Sequence, residues 1–160
     1  MSLRNVTVAR NAAGTEQKGE GGGIRNGKQG RVEITNTLVA ENTVAEKPSD
    51  CSGAIESKGY NLLSTALGCE LEGETETNLV GKPAGLAPLA DNGGPSPSYG
   101  LTEESAAIDA GNPKTPNSRD GACLPVDCRG VKRPQPGREG AEPRCDIGAI
   151  EFELREKKKK

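Results

Sequence analysis

Apolar and polar positions repeat along the first third of the chain with an offset of 31 residues. The segment LRNVTVARN (3–11) aligns with ITNTLVAEN (34–42), and both are rich in β-branched residues. A repeat of this length indicates stacked structural units, and the residue types favour strands over helices. The aligned positions are Leu3 and Ile34, Asn5 and Asn36, Val8 and Val39, Ala9 and Ala40, and Asn11 and Asn42.

The apolar residues change parity within each repeat. Val32 and Ile34 share one face of a strand, whereas Val39 has the opposite parity. Because side chains alternate between the faces of a strand, the chain must turn a corner between them. Asn36 stands at that corner and Asn5 at the same place one repeat earlier, and Asn suits a left-handed turn. The pattern predicts a parallel β-helix whose units stack about 4.8 Å apart. Two similar hairpins in a sandwich are the alternative.

The residues around the two repeats extend this prediction. The stretch Gly14–Arg31 predicts a turn-rich loop leading to a short strand at Gly23–Arg25, because the lysine and the helix of a phosphate-binding loop are missing. A third unit is predicted at Asp50–Ser64, with Ile55 and Leu62 as inward residues. No segment has the long helical periodicity that an α/β fold needs.

Composition and charge narrow the function classes. The 160 residues fit one domain, and with two Tyr, one Phe and no Trp the core must consist of aliphatic residues. The net charge is −2 although residues 157–160 are all Lys, so the rest of the chain is acidic, which argues against a nucleic-acid-binding module. The lysine run predicts a solvated tail, with a membrane-surface or polyanion contact as the alternative. No apolar stretch is long enough for a membrane span, and the first 14 residues lack a signal-peptide core.

Five motifs in the last two thirds of the chain resemble one known family. In this order they resemble the C-terminal portion of the choice-of-anchor Q domain proteins, bacterial surface or secreted proteins with right-handed parallel β-helix repeats. Two departures are visible: Ala106 stands where the family commonly has Pro, and Cys128 stands where Gln is common. The motifs are DCSGAIESKGYNLLS (50–64), GLAPLADNGGPSPSYGL (85–101), SAAIDAGNP (105–113), DCRGVKRP (127–134) and CDIGAIE (145–151).

The resemblance implies an all-β, pectate-lyase-like solenoid with an irregular C-terminal cap. We expect β-helix coils in residues 1–68, further coils and the capping segment in 69–154, and a basic disordered tail in 155–160. Family members usually carry an export signal upstream and a sorting anchor downstream. This chain shows neither, so we expect a fragment or an atypical member that packs against upstream coils of a parent chain. The expected location is extracellular or at the cell surface.

Three aspartates in these motifs are the candidate site residues. Asp109, Asp127 and Asp146 each stand beside a turn residue, where an Asp side chain most often accepts hydrogen bonds from its own turn. We therefore expect turn and ion-pair roles, with Arg129 neutralising one of the three. Two of them could instead act as acid and base in a glycosidase, or bind a cation.

The stretch Leu89–Pro113 is expected to close the end of the solenoid. It contains Asp-Asn-Gly-Gly and two prolines before Tyr99, which suit turns. A solenoid exposes a strand edge and its core at each end, so a polar-faced cap is required there. In this prediction Ile108, Ile147 and Ile150 fill the core beneath the cap.

The function expected from these features is that of a non-enzymatic structural scaffold or adhesin-like passenger. The chain has no His, the commonest proton shuttle, and too few rings for an aromatic sugar-binding platform. GEGGGIRNG lacks the Asp of calcium-binding β-helix repeats, so we expect no required metal and no cofactor. The expected partner is a surface polysaccharide, a host ligand or a cell-surface ligand, without nucleic acid or membrane insertion. The alternative is a carbohydrate-active protein that binds polysaccharide or cleaves it as a lyase or hydrolase.

The five cysteines indicate disulfides in an oxidising compartment, because Cys-x-x-Cys and His are both missing. Cys51 and Cys69 flank the third unit, and a bridge between them would join it to the next. Cys145 could pair with Cys123 or Cys128, and the resemblance implies Cys123, which leaves Cys128 free. Five unpaired thiols in a reducing compartment are the alternative.

Overall fold

The computed structural model describes residues 1–14, 20–119 and 121–154. This part of the chain is all-β, with fourteen strands and no helix, as the sequence predicts. The predicted tail at 155–160 lies outside the described residues. The strands are β1 (Ser2–Arg4), β2 (Thr7–Ala9), β3 (Ala12–Ala13), β4 (Ile24–Arg25), β5 (Glu33–Thr35), β6 (Leu38–Ala40), β7 (Thr43–Val44), β8 (Lys47–Pro48), β9 (Cys51–Lys58), β10 (Leu62–Leu63), β11 (Cys69–Glu74), β12 (Leu79–Val80), β13 (Leu86–Ala90) and β14 (Ser98–Leu101).

Parallel pairing stacks the strands into sheets. The first sheet has the order β1-β5-β9-β11, and β4 pairs with β9. The second sheet has the order β2-β6-β10-β12, and both sheets are parallel throughout. A third sheet pairs β3 with β7 in parallel and β7 with β8 in antiparallel orientation. Each repeat therefore visits the three sheets in the same order, β1-β2-β3 and then β5-β6-β7.

The register of the strands confirms the 31-residue repeat. Leu3 pairs with Ile34, and Val8 pairs with Val39. The side chains at equivalent positions of the two repeats thus lie next to each other on neighbouring strands. The predicted short strand before Arg31 is also confirmed as β4, although it begins at Ile24.

Left-handed residues turn the chain from the first sheet to the second. Asn5 has a φ of 51° and Asn36 a φ of 47°, which confirms the predicted corner. In the third unit Gly59 and Tyr60 occupy the turn, with φ values of 83° and 57°. Asn is among the non-glycine residues that adopt this region most readily, which explains its place at the first two corners.

Apolar side chains form two layers, one on each face of the second sheet. The first layer lies between the first and second sheets and includes Ile34, Ile55 and Leu63. The second layer includes Leu38 and Leu62, which point away from the first sheet. Ile55 and Leu62, the predicted inward residues of the third unit, are both fully buried, and they lie in different layers. Parity alone could not decide this, since the second sheet is buried on both faces.

The C-terminal segment lies along the side of the stack. Ala84, Leu86, Ala107 and Ile147 pack on residues of β2, β6 and β10, which are successive strands of the second sheet. The stretch Leu89–Pro113 thus differs from the predicted end cap, because the outward apolar side chains of the second sheet need covering along their whole length.

Within that segment, β13 and β14 form an antiparallel hairpin. The turn sequence 91–97 connects the two strands, and Ile108 and Ile150 are buried as expected. Among the described residues there is no helix of the length and apolar character that membrane crossing requires.

Candidate functional site

Asp127 is a buried hydrogen-bond acceptor in the C-terminal segment. Its carboxylate accepts the backbone N–H groups of Arg129 at 2.7 Å, Val131 at 3.0 Å and Glu151 at 3.0 Å. The Arg129 guanidinium, the predicted counter-charge, lies 2.7 Å from Oδ2. Burial alone would raise the pKa of Asp127, but these hydrogen bonds together lower it. The carboxylate is therefore ionised and fully engaged.

Arg133 and Glu151 form a second, deeper ion pair. Their charged atoms are 2.6 Å apart and both side chains are fully buried. Arg133 also donates to the carbonyl oxygens of Asp146 at 3.0 Å and Gly148 at 2.8 Å, while Glu151 accepts the N–H of Gln135 at 2.9 Å. Burial raises the pKa of Glu151, and the positive charge of Arg133 opposes that effect. The pair joins two distant parts of the segment.

Asp146 lies beside this pair and is almost fully buried. It accepts the N–H of Asp109 at 2.7 Å and that of Phe152 at 2.5 Å. Burial raises its pKa to about 7, and the charge of Glu151 acts in the same direction. Asp109 is half-buried and left-handed, with a φ of 54°, and its carboxylate accepts the N–H of Gly137 at 3.1 Å.

The three candidate aspartates thus lie in one polar network whose hydrogen bonds run mainly to backbone N–H groups. A general acid or base must reach a substrate through a hydrogen bond or one water. These carboxylates are instead directed into their own segment. The network therefore holds residues 105–111, 127–137 and 145–152 together.

Asn36 connects the C-terminal segment to the stack. Its side chain donates to the carbonyl of Gly121 at 2.6 Å and accepts the N–H of Asn112 at 2.8 Å. Its backbone carbonyl accepts the N–H of Gly148 at 2.8 Å. Asn5, one repeat earlier, accepts the N–H of Leu124 at 2.9 Å. The corner asparagines therefore anchor the flanking segment as well as turn the chain.

A polar groove of about 580 Å³ lies on the outward face of the first sheet. Arg4, Thr35, Lys58 and Glu74 line it, one from each of the strands β1, β5, β9 and β11. Strand register places Arg4 beside Thr35 and Lys58 beside Glu74. The four side chains form a row across the sheet in steps of about 4.8 Å.

The loop after β14 forms a wall of the groove. Asn112 and Gly121 contribute to it, and both are hydrogen-bonded to Asn36. Tyr60 also lines the groove, and the guanidinium carbon of Arg144 lies 5.4 Å from the centre of its ring. Asn36, the corner residue that anchors the C-terminal segment, thus also fixes this loop to the strands that form the floor of the groove.

Two disulfides cross-link the described residues. Cys51 and Cys69 are bridged, which joins the first residues of the neighbouring strands β9 and β11. Cys123 and Cys145 are bridged within the C-terminal segment, and Cys128 is an exposed free thiol. These are the pairs named from the sequence and the family resemblance.

Sequence reasoning missed three buried charged residues. Arg133 and Glu151 lie in two of the motifs that resemble the known family. Their opposite charges were the only feature of the sequence that could have indicated an ion pair between them. Asp50 was also missed: it is fully buried and accepts from the side chains of Asn42 at 2.9 Å and Ser64 at 2.6 Å. Its position directly before a predicted buried strand could have indicated that the Asp50 carboxylate is buried.

In the described ranges, no three His, Cys, Asp or Glu side chains are grouped so that they could hold a metal ion. No family model, curated protein or solved structure matches this chain.

Proposed function

We propose that this protein is a non-enzymatic β-helix module that serves as an extracellular or cell-surface scaffold or adhesin-like passenger. A right-handed parallel β-helix accounts for the order in which successive repeats visit the three sheets. The stacked parallel strands and the asparagine corners support this fold.

The main observation that supports a non-enzymatic role is that the candidate carboxylates are already hydrogen-bonded within the protein. Asp127 holds three backbone N–H groups and a guanidinium, and Asp146 holds two backbone N–H groups. Both are buried, whereas the acid and base of a glycosidase flank an open substrate cleft. These residues serve the protein's own backbone.

The proposed location follows from the two disulfides. Such bridges persist in oxidising compartments and are rare in the cytosol. They support export, and a surface scaffold benefits from the added resistance to unfolding.

We also propose membership of the choice-of-anchor Q domain proteins and packing against further parallel coils. The strands β1 and β2 stand at the ends of their sheets in the strand order. Their outer edges are suited to pairing with another parallel unit, which would be an upstream coil of a parent chain.

The alternative, a polysaccharide lyase or hydrolase, is tested by a cleavage screen of the purified chain against a polysaccharide panel. A scaffold releases no new sugar ends. Reproducible cleavage that Asp109→Asn, Asp127→Asn or Asp146→Asn abolishes, in variants that remain folded by circular dichroism, would overturn the proposal.

A further inference from the structure

We infer that the free edge of β11 is a docking site for an extended, basic segment of a partner protein, which adds to the first sheet as one more strand. In strand addition, main-chain hydrogen bonds supply the affinity and the alternating side chains supply the specificity. A docking site at this place goes beyond the proposed scaffold role and does not depend on it.

β11 lies at the end of the first sheet. It pairs with β9 on one side, and no described strand pairs with its other side. Four of its six residues are exposed, whereas none of the eight residues of β9 is exposed. The main-chain N–H and C=O groups on the outer side of β11 are therefore open to pairing with another strand.

The inner apolar layer is incomplete at the same end of the stack. Leu71 pairs with Ile55, and Val80 pairs with Leu63, on the neighbouring strands. Ile55 and Leu63 are fully buried, whereas Leu71 is half-buried and Val80 is 44% exposed. An added strand with an apolar side chain beside Leu71 would continue the layer and remove this surface from water.

The charges along the first sheet select a basic partner. Glu33, Glu56 and Glu72 are cross-strand neighbours on β5, β9 and β11. Arg31 lies 3.5 Å from Glu33 and 2.9 Å from Glu56, so both inner strands have a cation beside their carboxylates.

The carboxylates of β11 lack such a cation. The exposed Glu70 and Glu72 lie on one face of the strand, and neither makes an ion pair with a described residue. A strand with Lys or Arg at alternate positions would supply the counter-charges. A second copy of β11 would instead place like charges opposite each other, which disfavours self-pairing.

The test is a two-dimensional NMR titration of the isotope-labelled full chain with an acetylated and amidated six-residue peptide of alternating Lys and Val. We expect saturable shifts of the β11 amides. Two control peptides separate the contributions. Glu in place of Lys reverses the charge, and N-methylation of every main-chain amide keeps the side chains but removes the main-chain donors. Each control should bind at least about tenfold more weakly.

Four outcomes would overturn the inference. The first is the absence of shifts at millimolar peptide, or shifts confined to other surfaces. The second is equal binding of either control peptide. The third is self-association of the chain through β11, which would make a second copy the occupant. The fourth is a shift of the β11 amides without peptide when the lysines at 157–160 are replaced by Ser, which would make the chain's own tail the occupant.

Two double variants locate the site. Glu70→Gln with Glu72→Gln removes two exposed carboxylates of β11 and leaves its main chain unchanged. This variant should bind the Lys-Val peptide about fivefold more weakly. Glu103→Gln with Glu104→Gln is the matched control, because it removes the same charge from exposed positions in the C-terminal segment. Equal weakening by the two variants would contradict the assigned site, since binding would then follow net charge alone.

Discussion

The guanidinium of Arg133 and the carboxylate of Glu151 are 2.6 Å apart, and neither side chain is exposed. The pair joins the strand-free stretch after Asp127 to Glu151, the last buried residue in the part of the chain that the structure describes. Burying these two charges costs desolvation free energy. Their mutual attraction and their further hydrogen bonds offset that cost. The C-terminal segment is therefore held in place by polar contacts as much as by apolar packing.

Breaking this pair should strongly destabilise the protein. Glu151→Gln leaves a buried guanidinium without its counter-charge, and we expect the free energy of unfolding to fall by about 3–5 kcal/mol. Arg133→Met with Glu151→Leu should recover only part of this loss, because the apolar pair removes both charges but leaves the carbonyls of Asp146 and Gly148 and the N–H of Gln135 without these partners. Urea denaturation measures both. Arg31→Ala is the control, because Arg31 pairs with Glu56 at an exposed site and should cost less than about 1 kcal/mol.

Stability should increase as the pH falls from 7.5 to 5. The pKa of Asp146 is raised from 3.8 to about 7, so the folded chain binds this proton more tightly than the unfolded chain. Its stabilising contribution is full below 3.8 and is lost as the pH rises through about 7. The slope is at most about 1.4 kcal/mol per pH unit for one proton. The raised pKa of Glu151 acts in the same direction, whereas the lowered pKa of Asp127 opposes it at more acidic pH.

Thermal unfolding across this pH range checks the effect. The slope should become flatter in Asp146→Asn and stay unchanged in Asp91→Asn, whose side chain is at an exposed turn. A wild-type melting temperature that falls steadily from pH 7.5 to 5 would contradict the assignment.

Asn36 should contribute to stability in two separable ways. Asn36→Gly keeps the left-handed backbone but loses the hydrogen bonds to Gly121 and Asn112, and we expect a cost of about 2–4 kcal/mol. Asn36→Ala should cost about 1 kcal/mol more because of its Cβ at a φ of 47°. The matched control is the exposed, left-handed Asn117, where Gly should be nearly neutral and Ala should show only the backbone cost. Equal effects of glycine at both positions would refute the anchoring role.

Each disulfide should stabilise the chain by restricting the unfolded state. The bridges span 18 and 22 residues, for which removal costs about 3 kcal/mol. Cys51→Ala with Cys69→Ala, and Cys123→Ala with Cys145→Ala, are compared with Cys128→Ala, which should have little effect. Alkylation of the native oxidised chain followed by peptide mapping should label Cys128 alone. A Cys128–Cys145 peptide or five labelled thiols would show a different pairing.

The sequence predicts local features of this fold better than it predicts how the segments pack. The 31-residue repeat, the asparagine corners and the strand class follow from periodicity and backbone preference, which are local properties. The layer in which Leu62 packs does not, because a strand buried on both faces shows no alternation. The lateral position of residues 84–119 and 121–150 depends on which apolar surface of the second sheet remains uncovered, and this is a property of the assembled stack.

The candidate site shows the same division. The turn positions of the aspartates could be predicted because each stands beside a turn residue in the sequence. Arg129 could be predicted as a counter-charge because it lies two residues after Asp127. The Arg133–Glu151 pair and the groove could not be derived, because they depend on residues that are brought together from distant parts of the chain. The groove combines four strands of the first sheet with the loop residues 112–114 and 121, which lie later in the chain.

The most direct test of the central claim, that the candidate carboxylates are structural, is the unfolding free energy of Asp127→Asn. The amide cannot serve the three backbone N–H donors and Arg129 as the carboxylate does, so we expect a loss of about 3–5 kcal/mol by urea denaturation. Asp91→Asn, the exposed control, should change stability by less than about 0.5 kcal/mol. An Asp127→Asn variant as stable as the wild type would contradict the claim, because residues kept for catalysis rather than for folding characteristically leave stability unchanged or improved when replaced.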